Sequence, residues 1–280
     1  MARRPSFGDE PMSRLAAWSR HCAMFALAVA ILSVIILRSG MLEIVPALAT
    51  FAAALVFAAL AVLLALASFV VIWRQGLSGL GYATLALFIG LTMLAYPGYL
   101  GYRAIKLPAI SDITTDPANP PTFDVLARLR PRGRTAYPGT ATAALQRTAY
   151  PDIAPLQLSV PPKTAYDVAL SLITKRKWQV VDQRPPAAGH REGGIEAIAR
   201  TPIMGFRDDV VIRVSPLGQG SRVDMRSASR FGWHDFGANA SRVRALLEDI
   251  DDAAGSAPEP KAEPEKPDKK GAPKKLAPKR

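Results

Sequence analysis

Residues 208–231 read DDVVIRVSPLGQGSRVDMRSASRF. In the first half, Val210, Ile212 and Val214 fall on one side of a period-two pattern. In the second half, Val223, Met225, Ser227, Ser229 and Phe231 alternate with Arg222, Asp224, Arg226, Ala228 and Arg230. Between the halves, LGQG at 217–220 supplies the glycines of a reversal. The stretch therefore predicts two antiparallel strands whose opposite faces differ, one apolar and one charged.

Working outward, WQVVDQRP and GIEAIART predict two further strands, bounded by Pro185-Pro186 and Pro202. Before them, IAPLQLSV reads as a short strand and PPKTAYDVALSLITKRK as a helix. Thr164 is the expected N-cap, with Asp167 as its capping-box partner. Val168, Ala169, Leu172 and Ile173 form the apolar stripe, and Lys175, Arg176 and Lys177 suit the C-terminal dipole. After the hairpin, ANASRVRALLEDIDDA sets Val243, Leu246, Leu247 and Ile250 on one helical face, in a helix starting near Asp235. The order strand, helix, four strands, helix over residues 153–252 predicts an α+β domain, a meandering antiparallel sheet with helices on one face.

The N-terminal half is built differently. Three apolar runs, Cys22–Leu37, Val45–Trp73 and Leu80–Tyr102, carry no charge at their centres. Each is long enough to cross a bilayer once interfacial residues are added. A cleaved signal peptide fits the first run poorly, because Arg38 closes it and two more runs follow. The absence of ionisable residues at mid-span argues against a pump or transporter. Ala52, Ala53, Ala54, Ala58, Ala59 and Ala61 permit close helix packing. Arg3, Arg4, Arg14 and Arg20 precede the first run, whereas the first loop holds only Arg38 with Glu43. Counting basic residues places the N-terminus in the cytoplasm and, after three crossings, the C-terminal domain on the far side. In a bacterium this means a multi-pass inner-membrane protein with a periplasmic domain.

The expected division is a cytoplasmic N-terminus at 1–20, a three-helix membrane region at 21–102, an extended Pro-rich connector at 103–152, the α+β domain at 153–252 and a disordered basic tail at 253–280. The net charge is +12, with much of the excess at the two ends of the chain. That placement suits topology and contact with anionic surfaces better than nucleic-acid binding. The single cysteine, Cys22, excludes an intramolecular disulfide and paired-cysteine metal sites.

The connector contains a short helical stretch, PTFDVLARL, and two copies of RTAYP at 134–138 and 147–151, expected to form extended corners. Its entry, ISDITTDPANPPTF at 110–123, sets Asp112, Asp116 and Asn119 among three prolines. These are oxygen ligands in type, yet the run lacks the closing glutamate of a calcium loop. Turn formation is the reading that fits Asp and Asn beside proline.

Chemistry elsewhere is sparse. Asp208 and Asp209 begin a strand near Arg207 and Arg230, and cross-strand ion pairs explain them as readily as acid/base work. His234 beside Asp235 suggests a base and its partner, but no nucleophile motif accompanies them, and Asp235 also suits a helix start. His21, His190 and His234 are too scattered for a metal site. Arg222, Arg226 and Arg230 leave one sheet face at period two, with Arg213 on the neighbouring strand. Such a face suits phosphate or carboxylate, as in lipid headgroups; pairing with Asp224 and Asp208 is the competing reading.

ISDITTDPANPPTF, AYPDIAPL, the W-x-V-V-D at 178–182, IEAIARTPIMGFRDDVVIRV and GSRVDMRSASRFGWHDFGANASRVR together resemble the bacterial domain of unknown function 1499, over about residues 108–252. The resemblance implies apolar spans ahead of the domain and assigns no activity and no catalytic residue. The expectation from the sequence is a membrane-anchored envelope protein, without catalytic residues, metal or cofactor, whose outer domain meets membrane lipids, an anionic ligand or an envelope protein partner. An envelope enzyme using His234/Asp235 and Asp208/Asp209 is the alternative.

Overall fold

The computed structural model describes residues 10–40, 43–130, 135–187 and 192–256. Arg3, Arg4, His190 and the tail expected to be disordered lie outside the described residues, apart from the tail's first few positions.

Three long helices come first: α1 (Arg14–Ser39), α2 (Ile44–Gln75) and α3 (Leu80–Lys106). All three are long and apolar enough to cross a membrane. Their packing is the reverse of a soluble bundle. Ala16, Ala23, Ala61, Ala65, Ala83 and Ala86 meet inside, while Val56, Leu63 and Phe88 point outward. Small residues at the contacts and bulky apolar ones outside are what helix packing in lipid demands. Gly90 marks the closest approach: a Cβ there would stand 2.5 Å from Val62 Cγ2 and 3.0 Å from the Ala58 carbonyl oxygen. At one end of the bundle the N-terminal segment is bound to the α2–α3 turn, with Ser13 N–H donating to Ser78 O and Ser78 N–H to Pro11 O. The opposite end abuts the second half of the chain.

That half contains β1 (Asp112–Thr114), α4 (Val125–Leu129), α5 (Thr140–Ala149), β2 (Leu156–Leu158), α6 (Pro162–Lys175), β3 (Gln179–Arg184), β4 (Gly193–Arg200), β5 (Arg207–Leu217), β6 (Gly220–Ser229) and α7 (Ala238–Gly255). The sheet is antiparallel in the order β1-β6-β5-β4-β3, and β2 pairs with β6 beyond β1. The hairpin of 208–231 is its centre, with Ile212 opposite Met225 and Val214 opposite Val223. Strand, helix, four strands, helix over 153–252 is the observed order, and the protein is mixed α+β as expected.

One face of the sheet carries Ile195, Ala197, Val210, Ile212, Val214, Val223 and Met225 against Tyr166, Ala169 and Ile173 of α6 and Val243, Leu246 and Ile250 of α7. Burying these side chains is the main source of the domain's stability.

Three local expectations are corrected. Thr164 does not cap α6: the helix starts at Pro162, whose missing N–H costs nothing in the first turn, and Asp167 pairs instead with Lys163 one turn back. Part of the second RTAYP copy lies in α5 rather than in an extended corner; only Tyr150, before Pro151, leaves helical geometry. The stretch expected to be a connector supplies an edge strand, β1, and the side chain of Gln146 from α5 completes that edge. Its amide nitrogen donates to Thr114 O at 2.6 Å and its oxygen accepts from Thr114 N at 3.1 Å.

Candidate functional site

The second face of the sheet holds the charged residues. Alternation puts Glu196, Ile198 and Arg200 of β4, Arg207, Asp209, Val211 and Arg213 of β5, and Arg222, Asp224, Arg226 and Ala228 of β6 on this side, with Asp112 of β1. The segment 111–130 folds across it. Phe123 and Leu126 pack on Ile198, Val211 and Ala228, so the chain covers its own arginine row.

Under that cover the charges are matched. Arg226, 1% exposed, forks onto Asp112 at 2.9 and 2.8 Å, donates to the carbonyls of Pro121 and Thr135, and stacks 4.6 Å from the Phe123 ring. Arg222 spans Asp224 and Asp116, and Arg213 reaches Asp224 and the Asn119 carbonyl. Asp209, fully buried, receives Arg130 on one oxygen and Arg230 on the other. Glu196, also fully buried, accepts the N–H groups of Asp124, Val125 and Leu126 and so closes the start of α4 from a neighbouring strand.

The entry segment is part of this lid. Asp116 accepts from Ala118 and Asn119 N–H, the turn anticipated for it. Burial opposes its charge, but those N–H groups and Arg222 outweigh burial and hold its carboxyl below the usual range. Arg213, Arg222, Asp116 and Asn119 are thus joined around Asp224 in one internal network, and Arg226 with Asp112 forms a second beside it. Arg226 spends its guanidinium on that network rather than on a ligand.

Asp208 faces the opposite side, beneath α7. Its carboxylate meets Arg242 at 2.5 Å, and Arg242 also donates to Ser227 Oγ and Asn239 Oδ1. Asn239 bonds Ser229 Oγ and the Ser111 carbonyl in turn. Burial raises the Asp208 carboxyl, with Arg242 opposing. Asp235 accepts from Gly237 and Asn239 N–H at 2.7 and 2.8 Å, fixing the entry to α7, and burial raises its carboxyl too. His234 spends Nδ1 on Phe236 N–H and stacks on the Phe236 ring, while its buried Nε2 has no hydrogen-bond partner among the described residues. With both Asp235 oxygens and His234 Nδ1 bound to backbone N–H groups, the two side chains do not form the hydrogen-bonded pair that base catalysis requires. Among the described residues no cluster of His, Cys, Asp or Glu is placed to hold a metal ion.

The arginine face is left open at one end, where it meets the helical bundle. A recess of about 950 Å³ lies there. The anchor side contributes Leu37, Arg38, Glu43 and Ile44; the domain side includes Arg200, Phe206, Arg207, Arg230, Phe231 and Trp233. Arg200 and Arg207 are direct cross-strand partners at the mouth of the β4–β5 turn. Like charges in that register repel; both side chains are exposed, and among the described residues neither meets a carboxylate. Arg38 donates to the carbonyls of Pro202 and Ile203 at 2.7 and 3.1 Å, latching α1 to that turn without meeting an acid. Arg230 Nη2 lies 2.7 Å from Asp209 Oδ1 but off a hydrogen-bonding line, so this buried nitrogen is ion-paired without a hydrogen bond among the described residues. Phe206 and Phe231 stack at 5.8 Å along the apolar part of the wall.

Arg38, Arg130, Arg200, Arg207, Arg242 and Glu196 were not singled out as site residues in the sequence. Two signals were there to be read. Glu196 is the one acid in a strand that is uncharged elsewhere until its last residue, Arg200, and it lies on the parity opposite the core. Arg200 and Arg207 bracket TPIMGF symmetrically, as a hairpin of that length pairs them.

The family model described as "Protein of unknown function (DUF1499)" matches residues 112–250. No curated protein matches the chain. Among solved structures, the crystal structure of TTHA0849 from Thermus thermophilus is similar at 14% identity and a TM-score of 0.21, over 37% of this chain and 95% of that one. The matched interval of the family model runs from β1 into α7 and takes in the self-covered charged face and the domain wall of the recess; by it the chain belongs to the DUF1499 family, whose function is unknown.

Proposed function

We propose that this is a membrane-anchored envelope protein whose domain lies on the side of the bilayer away from the cytosol and holds an anionic ligand in the recess between anchor and sheet. The observation that carries the reading is the Arg200–Arg207 pair. Two exposed arginines that the strand register sets opposite each other on one sheet face, without a carboxylate partner among the described residues, form a site that an anion completes. Arg38 adds to that field and Glu43, on the same wall, opposes it.

Charge gives the sidedness modest support: Arg14, Arg20 and Arg74 lie at the bundle end remote from the domain, with Arg3 and Arg4 preceding them in sequence, whereas the near end carries Arg38, Arg103 and Lys106 with Glu43. In a bacterium this orientation corresponds to the inner membrane with the domain in the periplasm. The enzyme alternative is not favoured by the arrangement around His234.

A photoreactive residue at Leu129, which is exposed and lines the recess, tests the reading in intact membranes. The expected result is a discrete adduct, of lipid or protein, that disappears when Arg200→Gln and Arg207→Gln are combined. Identical adducts with and without the two arginines would overturn the reading.

A further inference from the structure

We infer that the anion is the phosphate of an anionic glycerophospholipid from the leaflet adjoining the domain. The inference rests on the recess being an anion site and names the chemical class of what fills it.

Three observations converge. The first is depth. One wall is the last turn of α1 and the first of α2, Leu37, Arg38 and Ile44. Helices of this length and hydropathy leave the apolar layer at those residues, so the recess sits at the level of headgroups. The second is the mixture of walls. A water-soluble anion needs the arginines but not the stacked Phe206 and Phe231, the half-buried Leu37 or Trp233, which is 73% exposed. A neutral apolar ligand needs the rings but not the arginines. A molecule with a phosphate and acyl chains uses both. The third is geometry. Arg200 and Arg207 are cross-strand partners on one sheet face, with Arg230 on the flank, since Arg230 N–H donates to Arg207 O. Two guanidinium groups carried on one sheet face offer donors to the several oxygens of one phosphate, and the lipid phosphate removes the repulsion between them.

Aromatic residues at the same level extend the pattern. Tyr96, Tyr99 and Tyr102 are exposed on the last turns of α3, where tyrosine rings favour the headgroup zone. Ile203, 42% exposed, lies on the β4–β5 turn that Arg38 latches to α1. The turn is therefore held near the bilayer surface, with its flanking arginines beside the phosphate layer.

The test is native mass spectrometry of the full chain released from nanodiscs of phosphatidylglycerol, of phosphatidylcholine, or of phosphatidylcholine with soluble glycerol phosphate in excess. The expected result is retention of phosphatidylglycerol, with phosphatidylcholine retained at least about tenfold less and glycerol phosphate not retained. Arg200→Gln with Arg207→Gln reduces retention of phosphatidylglycerol by at least about tenfold; Arg200→Lys with Arg207→Lys restores part of it, because charge survives without the fork. Arg14→Gln with Arg20→Gln, at the remote end, leaves retention unchanged. Equal retention of both lipids, or retention of phosphatidylglycerol indifferent to Arg200 and Arg207, overturns the inference. Retention of glycerol phosphate in an Arg200/Arg207-dependent way overturns the lipid assignment while leaving the anion site standing. A Leu129 adduct that is the same with and without Arg200 and Arg207 is what would remove the site itself.

Discussion

Replacing Arg226 with methionine removes the one guanidinium at the centre of the covered face. The side chain is almost fully buried and makes both forks onto Asp112, two bonds to the carbonyls of Pro121 and Thr135, and a stacking contact with Phe123. Methionine keeps the apolar stem and loses all four bonds, leaving the Asp112 carboxylate buried without its counter-ion. Breaking a buried pair from one side costs about 3–5 kcal/mol, against at most about 1 kcal/mol for an exposed pair. At about 3 °C per kcal/mol for a domain of this size, the thermal midpoint falls by roughly 9–15 °C. Urea unfolding of the full chain, followed by tryptophan fluorescence, gives the free energy directly. Asp112→Ala alone also destabilises, while Asp112→Ala with Arg226→Met recovers at least about 2 kcal/mol relative to the sum, because no lone charge remains. A loss below about 1 kcal/mol for Arg226→Met, or strict additivity in the double variant, refutes the claim that this arginine row is internal structure.

Glu196→Gln replaces a carboxylate that accepts three N–H groups with a neutral amide, and costs about 1.5–3 kcal/mol; hydrogen exchange at Leu126 N–H accelerates with it, and unchanged exchange counts against the cap. Tyr137 has its hydroxyl pushed up to about 12 by burial and by Asp112, with no hydrogen-bond partner for that hydroxyl among the described residues. The folded chain therefore binds more protons than the unfolded chain between pH ~10 and ~12, so stability present below pH ~10 declines as pH rises through that window. A tyrosinate absorbance titration of wild type against Tyr137→Phe isolates one late-titrating ring; titration near the ordinary value contradicts the burial argument.

The hairpin at 208–231 was legible because its two faces differ in polarity at period two, and the spans because long uncharged runs have few other fates. What escaped reading was which surface the polar face meets. Arg222, Arg226 and Arg230 are correctly placed on one side by alternation, but alternation says nothing about a lid made from residues 111–130. Besides Phe123 and Leu126, that lid is held by Asp112, Asp116 and the carbonyls of Asn119 and Pro121, pairings made across about a hundred residues of chain. The α5 helix was hidden by weak periodicity in TATAALQRTA, where one buried glutamine matters more than any stripe. The recess was beyond sequence reading for the same reason: Arg38 and Arg200 are brought together by docking, through carbonyls of the intervening turn.

A lipid phosphate seated against Arg200 and Arg207 is what the functional reading requires. Solid-state NMR of the full chain with nitrogen-labelled arginine in phosphatidylglycerol bilayers measures this contact through nitrogen–phosphorus dipolar coupling. Coupling at charge-assisted hydrogen-bond range is predicted, and it vanishes in the Arg200→Gln, Arg207→Gln chain. No arginine–phosphorus contact, or contacts unaltered by those two substitutions, would contradict the assignment.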